Sequence, residues 1–227
     1  MQAVILAGGR GLRLKPFTDT APKVMALVKG KPFLEHLLRY IRSFSIKDIL
    51  LLTGYLGKQI EVYFGNGEQL GLSIEYVNEA KPLGTGGALK NAEDKLRGEF
   101  LLFNGDTYLP IDYKEVIESF QRRAASCMIV AHNNSDKIFV NNMRVGEDSR
   151  VLAYSKTDTQ AMTEVDAGLT LFKREAIDYI PEKKPCSFER EALPRLIEKG
   201  YVSAFITGQR FYDMGTPGGL KDMEDIL

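Results

Sequence analysis

The chain is short of the residues on which much enzyme chemistry rests. It holds two histidines among 227 residues, which argues against a zinc centre or a His-based nucleophilic triad. Its two cysteines, Cys127 and Cys186, are far apart and in no metal-ligand spacing. They read as reduced thiols, which points to a cytoplasmic protein. A charge of one sign is missing as well. The 30 Lys and Arg residues balance the 30 Asp and Glu residues, so no global field favours nucleic acid or an anionic membrane. No apolar run approaches a membrane span, and the N-terminus lacks a basic-then-apolar signal pattern. Whatever chemistry the chain performs must run on carboxylates, amines, guanidinium groups and backbone.

What is present is ample apolar material, 44% of the chain, arranged in alternation. Strand-like runs at 3–7, 48–53, 72–77, 99–104 and 126–131 alternate with helix-period segments. The first helix opens at Pro32 and carries Leu34, Leu37, Leu38 and Ile41 on one face. Further helices are expected over 57–64, 86–96 and 112–125. This βα alternation predicts an α/β fold with a mostly parallel sheet covered by helices on both faces. Beyond residue 136, "FVNNMRV", "RVLAYSK" and "EVDAGLTLF" are β-rich, and they are expected to add antiparallel strands to the sheet. Helical segments at 174–179 and 187–199, short strands at 202–207 and 210–213, and a helix from Pro217 complete the pattern. With no linker, repeat or low-complexity stretch, residues 1–227 are expected to form a single domain.

The densest signal lies in "LAGGRGLRLKPFTDTAPK", residues 6–23. A strand runs into Gly8, Gly9 and Gly11, and Arg10, Arg13, Lys15 and Lys23 follow. Glycines let backbone N–H groups approach an anion, so strand-then-glycine is a recurrent phosphate-binding device. A dinucleotide fingerprint is disfavoured, because the third glycine and the acidic residue closing the next strand are missing. The Walker pattern is absent too, since "VKGKPF" lacks its upstream glycine and its Ser/Thr. A tight turn packed on the core would have no use for Arg13 and Lys23.

This stretch resembles the signature loop of the sugar-1-phosphate nucleotidylyltransferases, LAGG-x-G-x-R-L followed by P-K. "EAKPLGTGGAL" (79–89) resembles that family's base-binding loop, "NGD" (104–106) its metal-binding strand end and "YDMGTP" (212–217) its second metal-binding segment. The four matches occur in the family's order. They imply a Rossmann-like α/β/α sandwich with a mixed, mostly parallel central sheet. The implied reaction joins a nucleoside triphosphate to a sugar 1-phosphate and releases pyrophosphate. Compact length, "PLGTGGA" and "SFEREALPRL" (187–196) most resemble the heptose-1-phosphate guanylyltransferases within the family. A uridylyl- or thymidylyltransferase is the alternative within the class. A nucleotide-sugar-binding regulatory protein is the alternative from another class.

The resemblance assigns roles residue by residue. Arg13 and Lys23 hold the phosphates, and Asp106 and Asp213 bind Mg²⁺. Leu6, Gly8, Gly9, Gly11, Glu79, Gly84 and Thr85 surround the nucleotide. Lys156 holds the sugar phosphate, with Asp166 and Gly168 beside the sugar. The chain departs from the family pattern in places. Leu12 replaces the usual Thr or Ser, and the usual Glu-Lys pair reads Ser155-Lys156. A frequent Tyr-Gly segment reads "IFVNNM", Asn-Ala-Gly reads Asp166-Ala167-Gly168, and a frequent Gln of the base loop is Glu79. A carboxylate can accept from the two adjacent donors of guanine, whereas uracil and thymine suit an amide better. The expected partners are therefore an NTP and a sugar 1-phosphate, with neither nucleic acid nor membrane. The sequence leaves homo-oligomerisation open.

Overall fold

A computed structural model describes residues 1–182 and 185–227. In chain order the first half contains β1 (Gln2–Ala7), β2 (Leu27–Val28), β3 (Lys31–Pro32), α1 (Phe33–Ser43), β4 (Asp48–Thr53), α2 (Gly57–Phe64), β5 (Ser73–Asn78), α3 (Gly84–Asn91), β6 (Glu99–Asn104) and β7 (Thr107–Tyr108). There follow α4 (Tyr113–Gln121), β8 (Cys127–His132), β9 (Met143–Val145), β10 (Val151–Tyr154), β11 (Val165–Lys173), α5 (Leu193–Glu198), β12 (Val202–Thr207), β13 (Tyr212–Asp213) and α6 (Pro217–Ile226). The elements group into two compact units, neither contiguous in sequence. One comprises Met1–Pro82, Leu102–Tyr108 and Tyr212–Leu227; the other comprises Leu83–Leu101 and Leu109–Phe211. No helix among the described residues is long and apolar enough to cross a membrane.

In the first unit the strands run in the order β6-β1-β4-β5, with Leu102–Asn104 of β6 belonging here. β1, β4 and β5 are parallel and in step, Ala7 pairing with Thr53 and Thr53 with Asn78. Their C-terminal ends therefore line up, which is where parallel sheets place ligands. β4 reads Ile-Leu-Leu-Leu because a parallel strand covered on both faces needs apolar side chains on each. Leu34, Leu37, Leu38 and Ile41 of α1 are fully buried, as their i, i+3, i+4, i+7 spacing requires. Glu35 is buried on the same helix and is held by Lys31, Arg39 and the Tyr63 hydroxyl at 3.4, 2.8 and 2.8 Å. Burial alone would raise its pKa, but these partners outweigh burial and hold it below the ordinary value.

In the second unit the order is β12-β8-β11-β6, with Glu99–Leu101 of β6 belonging here. β12 is parallel to β8 and β11 antiparallel to it. All six residues of β8 are buried, as befits a central strand. Phe100 stacks on Phe172 at 5.2 Å, and Phe188 meets Phe172 edge-on at 5.1 Å. The sheet is thus mixed and mostly parallel, as the alternation predicts.

Three local features differ from the sequence reading. Of the three late β-rich runs, only β11 joins the sheet. β9 and β10 instead pair with each other, and single bridges, Met143–Glu164 and Arg150–Ser203, tie them to their neighbours. β9 is three residues long and β10 is interrupted between Val151 and Ala153, so neither offers a continuous edge. The helix expected over 86–96 starts at Gly84 and ends at Asn91, where a 3₁₀ turn (Glu93–Lys95) replaces it. The segment 187–199 opens as a wide π turn, Phe188–Ala192, before α5. Pro194 in its path has no N–H with which to continue an α-helical ladder.

Gly105 shows how closely packed the junction after β6 is. Its N–H donates to the Leu6 carbonyl at 3.0 Å, and a Cβ there would strike that same carbonyl. Gly105→Ala is expected to cost about 2 kcal/mol or more, a fall in Tm of at least ~4 °C. Gly9→Ala meets nothing within 4 Å and should stay within about 0.5 kcal/mol of wild type. Thermal unfolding of both variants checks the contrast.

Candidate active-site residues

The structure sorts the four cations of the opening stretch. Arg10 lies over the Tyr55 ring at 5.6 Å from its centroid. Lys15 pairs with Asp19 at 3.1 Å on the surface, where such pairs contribute little. Arg13 is exposed, and among the described residues its guanidinium has neither an ion-pair nor a hydrogen-bond partner. Lys23 alone is buried, its side chain 10% exposed.

Lys23 Nζ lies 2.5 Å from Asp106 Oδ2 and 3.7 Å from Asp213 Oδ1. Two devices bring these carboxylates to one ammonium. β7 and β13 form a two-residue antiparallel ladder in which Asp213 pairs with Thr107, and Met214 N–H donates to the Asp106 carbonyl at 3.0 Å. Gly215 N–H then donates to Asp213 Oδ1 at 2.6 Å. A Cβ on Gly215 would lie 2.8 Å from Arg13 Nη2 and 2.9 Å from Asp213 Oδ1, so a side chain there would displace both groups. Asp106 Oδ1 has a weaker partner, the Thr107 hydroxyl at 3.3 Å.

The glycine loop is built into the same unit. Gly11 is left-handed at φ 58°, and a Cβ there would lie 2.8 Å from Lys23 Cβ. Conformation and space both require glycine. Its carbonyl accepts from Leu14 N–H at 2.9 Å and from the buried Thr18 hydroxyl at 3.1 Å. Leu6 gives its carbonyl to Gly105. Glu79 follows β5 and turns back onto the loop: a Cβ on Gly8 or on Gly54 would lie 3.0 Å from its Oε1. Leu6, Gly8, Gly9, Gly11, Arg13, Lys23, Glu79, Asp106 and Asp213 thus all belong to the first unit.

Gly84, Thr85, Lys156, Asp166 and Gly168 belong to the second. Gly84 is left-handed at φ 74°, and a Cβ there would lie 2.5 Å from the Cys186 carbonyl. The Thr85 hydroxyl donates to Glu189 Oε2 at 2.7 Å and accepts from Phe188 N–H at 2.9 Å. Glu189 Oε2 also accepts from the Ser187 hydroxyl at 2.8 Å, and Glu189 Oε1 lies 3.5 Å from Lys156 Nζ. Burial would raise the Glu189 pKa, yet the Lys156 charge and these hydroxyl donors outweigh it and hold the carboxyl below its ordinary value. Sequence reasoning singled out Thr85 and Lys156 but missed Glu189. Its signal lay inside "SFEREALPRL", a segment used only for its resemblance.

Asp166 sits where β11 slips register, between Asp166 and Thr170, with Gly168 left-handed at φ 80°. That bulge turns Gly168 N–H onto Asp166 Oδ1 at 2.9 Å, while the Tyr154 hydroxyl donates to Oδ2 at 3.1 Å. Burial raises the Asp166 pKa, and the Gly168 N–H, Lys156 and Tyr154 only partly offset it.

Comparison with known proteins gives these clusters a context. The model of the nucleotidyl transferase family matches residues 2–226. The chain belongs to that family. It is 32% identical over 228 residues to a D-glycero-alpha-D-manno-heptose 1-phosphate guanylyltransferase of Aneurinibacillus thermoaerophilus, covering 100% of this chain and 98% of that protein. It is 37% identical over 221 residues to a mannose-1-phosphate guanylyltransferase of Mycobacterium tuberculosis, covering 96% of this chain but 62% of that longer protein. Among solved structures, HddC from Yersinia pseudotuberculosis complexed with GMP-PN aligns with a TM-score of 0.84 at 30% identity, covering 99% of this chain and 98% of that one. The Rossmann-like nucleotidyltransferase fold expected from the sequence is the one these relatives share.

The Asp166 environment has a pH consequence. A folded-state pKa raised above the ordinary 3.8 means that the folded protein holds this proton more tightly than the unfolded chain. The resulting stabilisation is full below the unfolded pKa and is lost as pH rises through the folded one. Asp166→Asn is uncharged at every pH and keeps an acceptor for Gly168 N–H. The variant's Tm minus the wild-type Tm should therefore be smallest in acid and grow as pH rises through the raised range. Paired melting curves from pH 4 to 8 test this, and a flat difference would contradict it.

Proposed function

We propose that the protein is a Mg²⁺-dependent sugar-1-phosphate nucleotidylyltransferase. On this reading it transfers GMP from GTP to a heptose or hexose 1-phosphate and releases pyrophosphate. The observation that carries the reading is Lys23 held between Asp106 and Asp213, with its stem against the glycine loop. A structural turn would not gather one ammonium and two carboxylates beside Gly11 and Gly215, with the Arg13 guanidinium next to them. The guanylyltransferase names of full-length relatives support the choice of base.

The chemistry asks for charge management rather than proton transfer. A phosphate monoester is already an ionised nucleophile near neutral pH, so attack on the α-phosphorus needs no general base. Both histidines are accordingly structural. His36 Nε2 pairs with the Val28 carbonyl at 2.8 Å, and His132 is buried beside Phe139 and Phe211. Arg13 offers its planar fork to the triphosphate and the departing pyrophosphate. Lys23 supplies a compact charge to phosphate oxygens. Backbone N–H groups of Gly8, Gly9 and Gly11 can approach the phosphates because those residues carry no Cβ. Asp106 and Asp213 would hold Mg²⁺: both are hard oxygen donors, two carboxylates leave room for phosphate and water ligands, and a cation already sits on them. Bound there, Mg²⁺ would neutralise charge developing on the phosphoryl oxygens. Lys156, oriented by Glu189, would receive the sugar phosphate. Glu79, laid against the loop backbone, would accept from the N1–H and N2 amino group of guanine.

Two measurements test this reading. Asp106→Asn and Asp213→Asn should each lower turnover by about two or more orders of magnitude with the circular dichroism spectrum unchanged; near wild-type turnover at saturating Mg²⁺ in both would refute the assignment. For the base, kcat/KM should favour GTP over UTP and dTTP by about tenfold or more, with Glu79→Gln narrowing the gap, since a mismatched buried polar group costs roughly 1–3 kcal/mol. A clear preference for UTP or dTTP would instead make the protein a uridylyl- or thymidylyltransferase.

A further inference from the structure

Lys23 is more than another phosphate contact, because of where its ammonium rests. Its ammonium is the cation on the Asp106–Asp213 pair, at 2.5 and 3.7 Å. Its stem is held in place. The residue is 8% exposed, it follows Pro22 in a short 3₁₀ turn, and its stem lies against Gly11, where a Cβ would come within 2.8 Å of Lys23 Cβ and 3.2 Å of Cγ. Asp213 Oδ1 is also committed to Gly215 N–H at 2.6 Å.

A divalent ion arriving alone would meet one net negative charge rather than two. It would also have to share a half-buried corner with an ammonium a few ångströms away, where like charges are poorly screened. A triphosphate changes both terms. Laid on the glycine loop, it brings several negative charges beside the very stretch that grips the lysine stem. The ammonium then has an alternative anionic partner, and the ion gains phosphate oxygens as ligands.

We infer that Lys23 is an internal counter-ion that keeps the carboxylate pair closed to divalent metal until a nucleoside triphosphate draws the ammonium away, so that metal and nucleotide bind together. This rests on the reading of Asp106 and Asp213 as the metal pair. The lysine thereby has two roles in sequence: it first holds the place of the metal and then holds the nucleotide that the metal accompanies.

Mn²⁺, followed through the electron paramagnetic resonance signal of the free ion, serves as the probe. Wild-type protein without nucleotide should bind Mn²⁺ weakly. Lys23→Met and Lys23→Gln, each checked for folding by circular dichroism, should bind it at least tenfold more tightly without nucleotide. Adding Asp106→Asn to either variant should abolish that gain. A non-hydrolysable GTP analogue should raise Mn²⁺ binding by the wild type in a manner that depends on Asp106 and Asp213. If both lysine variants bind Mn²⁺ no better than wild type while that analogue-dependent binding persists, the counter-ion role is wrong and the metal pair stands. Tight nucleotide-free binding by the wild type through Asp106 and Asp213 would overturn the role without any lysine variant. Analogue-dependent binding indifferent to both aspartates would remove the metal reading and the inference with it.

Discussion

Two ionised carboxylates repel each other unless a positive charge sits with them, and the first unit is organised around that constraint. Mutual repulsion would otherwise spread Asp106 and Asp213 into solvent or force one to hold a proton. The Lys23 ammonium removes the difficulty, and the surrounding backbone is shaped to deliver all three groups. The β7–β13 ladder sets the aspartates, Gly105 lets the first come up against β1, Gly215 admits Arg13 beside the second, and Gly11 makes room for the lysine stem. A paired ion network of this kind is weak evidence of stabilisation, since desolvation offsets much of the attraction. Its worth lies in geometry: it holds one ammonium and two carboxylates in a fixed arrangement.

The second unit solves a related problem with one ammonium and neutral hydroxyl donors. Glu189 is kept ionised by Lys156 and two hydroxyls, and the same contacts clamp the turn at Gly84–Thr85 onto the Cys186–Glu189 segment. A few ångströms of backbone therefore carry both the loop that resembles a base-binding element and the carboxylate that orients a lysine. Asp166 is treated differently. One backbone N–H and one phenol do not fully compensate its burial, so its charge remains costly. Costly charges persist where function uses them, and Asp166 replaces a neutral residue of the family pattern in the half of the chain expected to meet the sugar.

Most of the fold was legible because its signals are local. Apolar runs such as Ile49–Leu52 and the helical spacing of Leu34, Leu37, Leu38 and Ile41 state their structure within a few residues. What escaped was set by partners distant in sequence. The fate of β9 and β10 depended on which edge was free, a fact no local window contains. The glycine loop could be seen, but the sorting of its four cations could not. Arg10 on Tyr55, Lys15 on Asp19 and Lys23 on two aspartates look alike as letters. Glu189 was hidden for the same reason, since a Glu flanked by Phe and Arg reads as an ordinary helix charge until Thr85 and Lys156 are found beside it.

The order of segments along the chain bears on biosynthesis. Lys23 and Asp106 emerge from the ribosome early, while Asp213 belongs to β13, which returns to β7 only after the whole of the second unit has been made. A nascent chain can therefore bury its lysine against one carboxylate long before the second arrives, and closing so distant a contact is slow relative to local folding. Throughout that interval the growing polypeptide has its glycine loop and one carboxylate without the second. On the proposed reading, the acidic pair is complete only once β13 has joined β7.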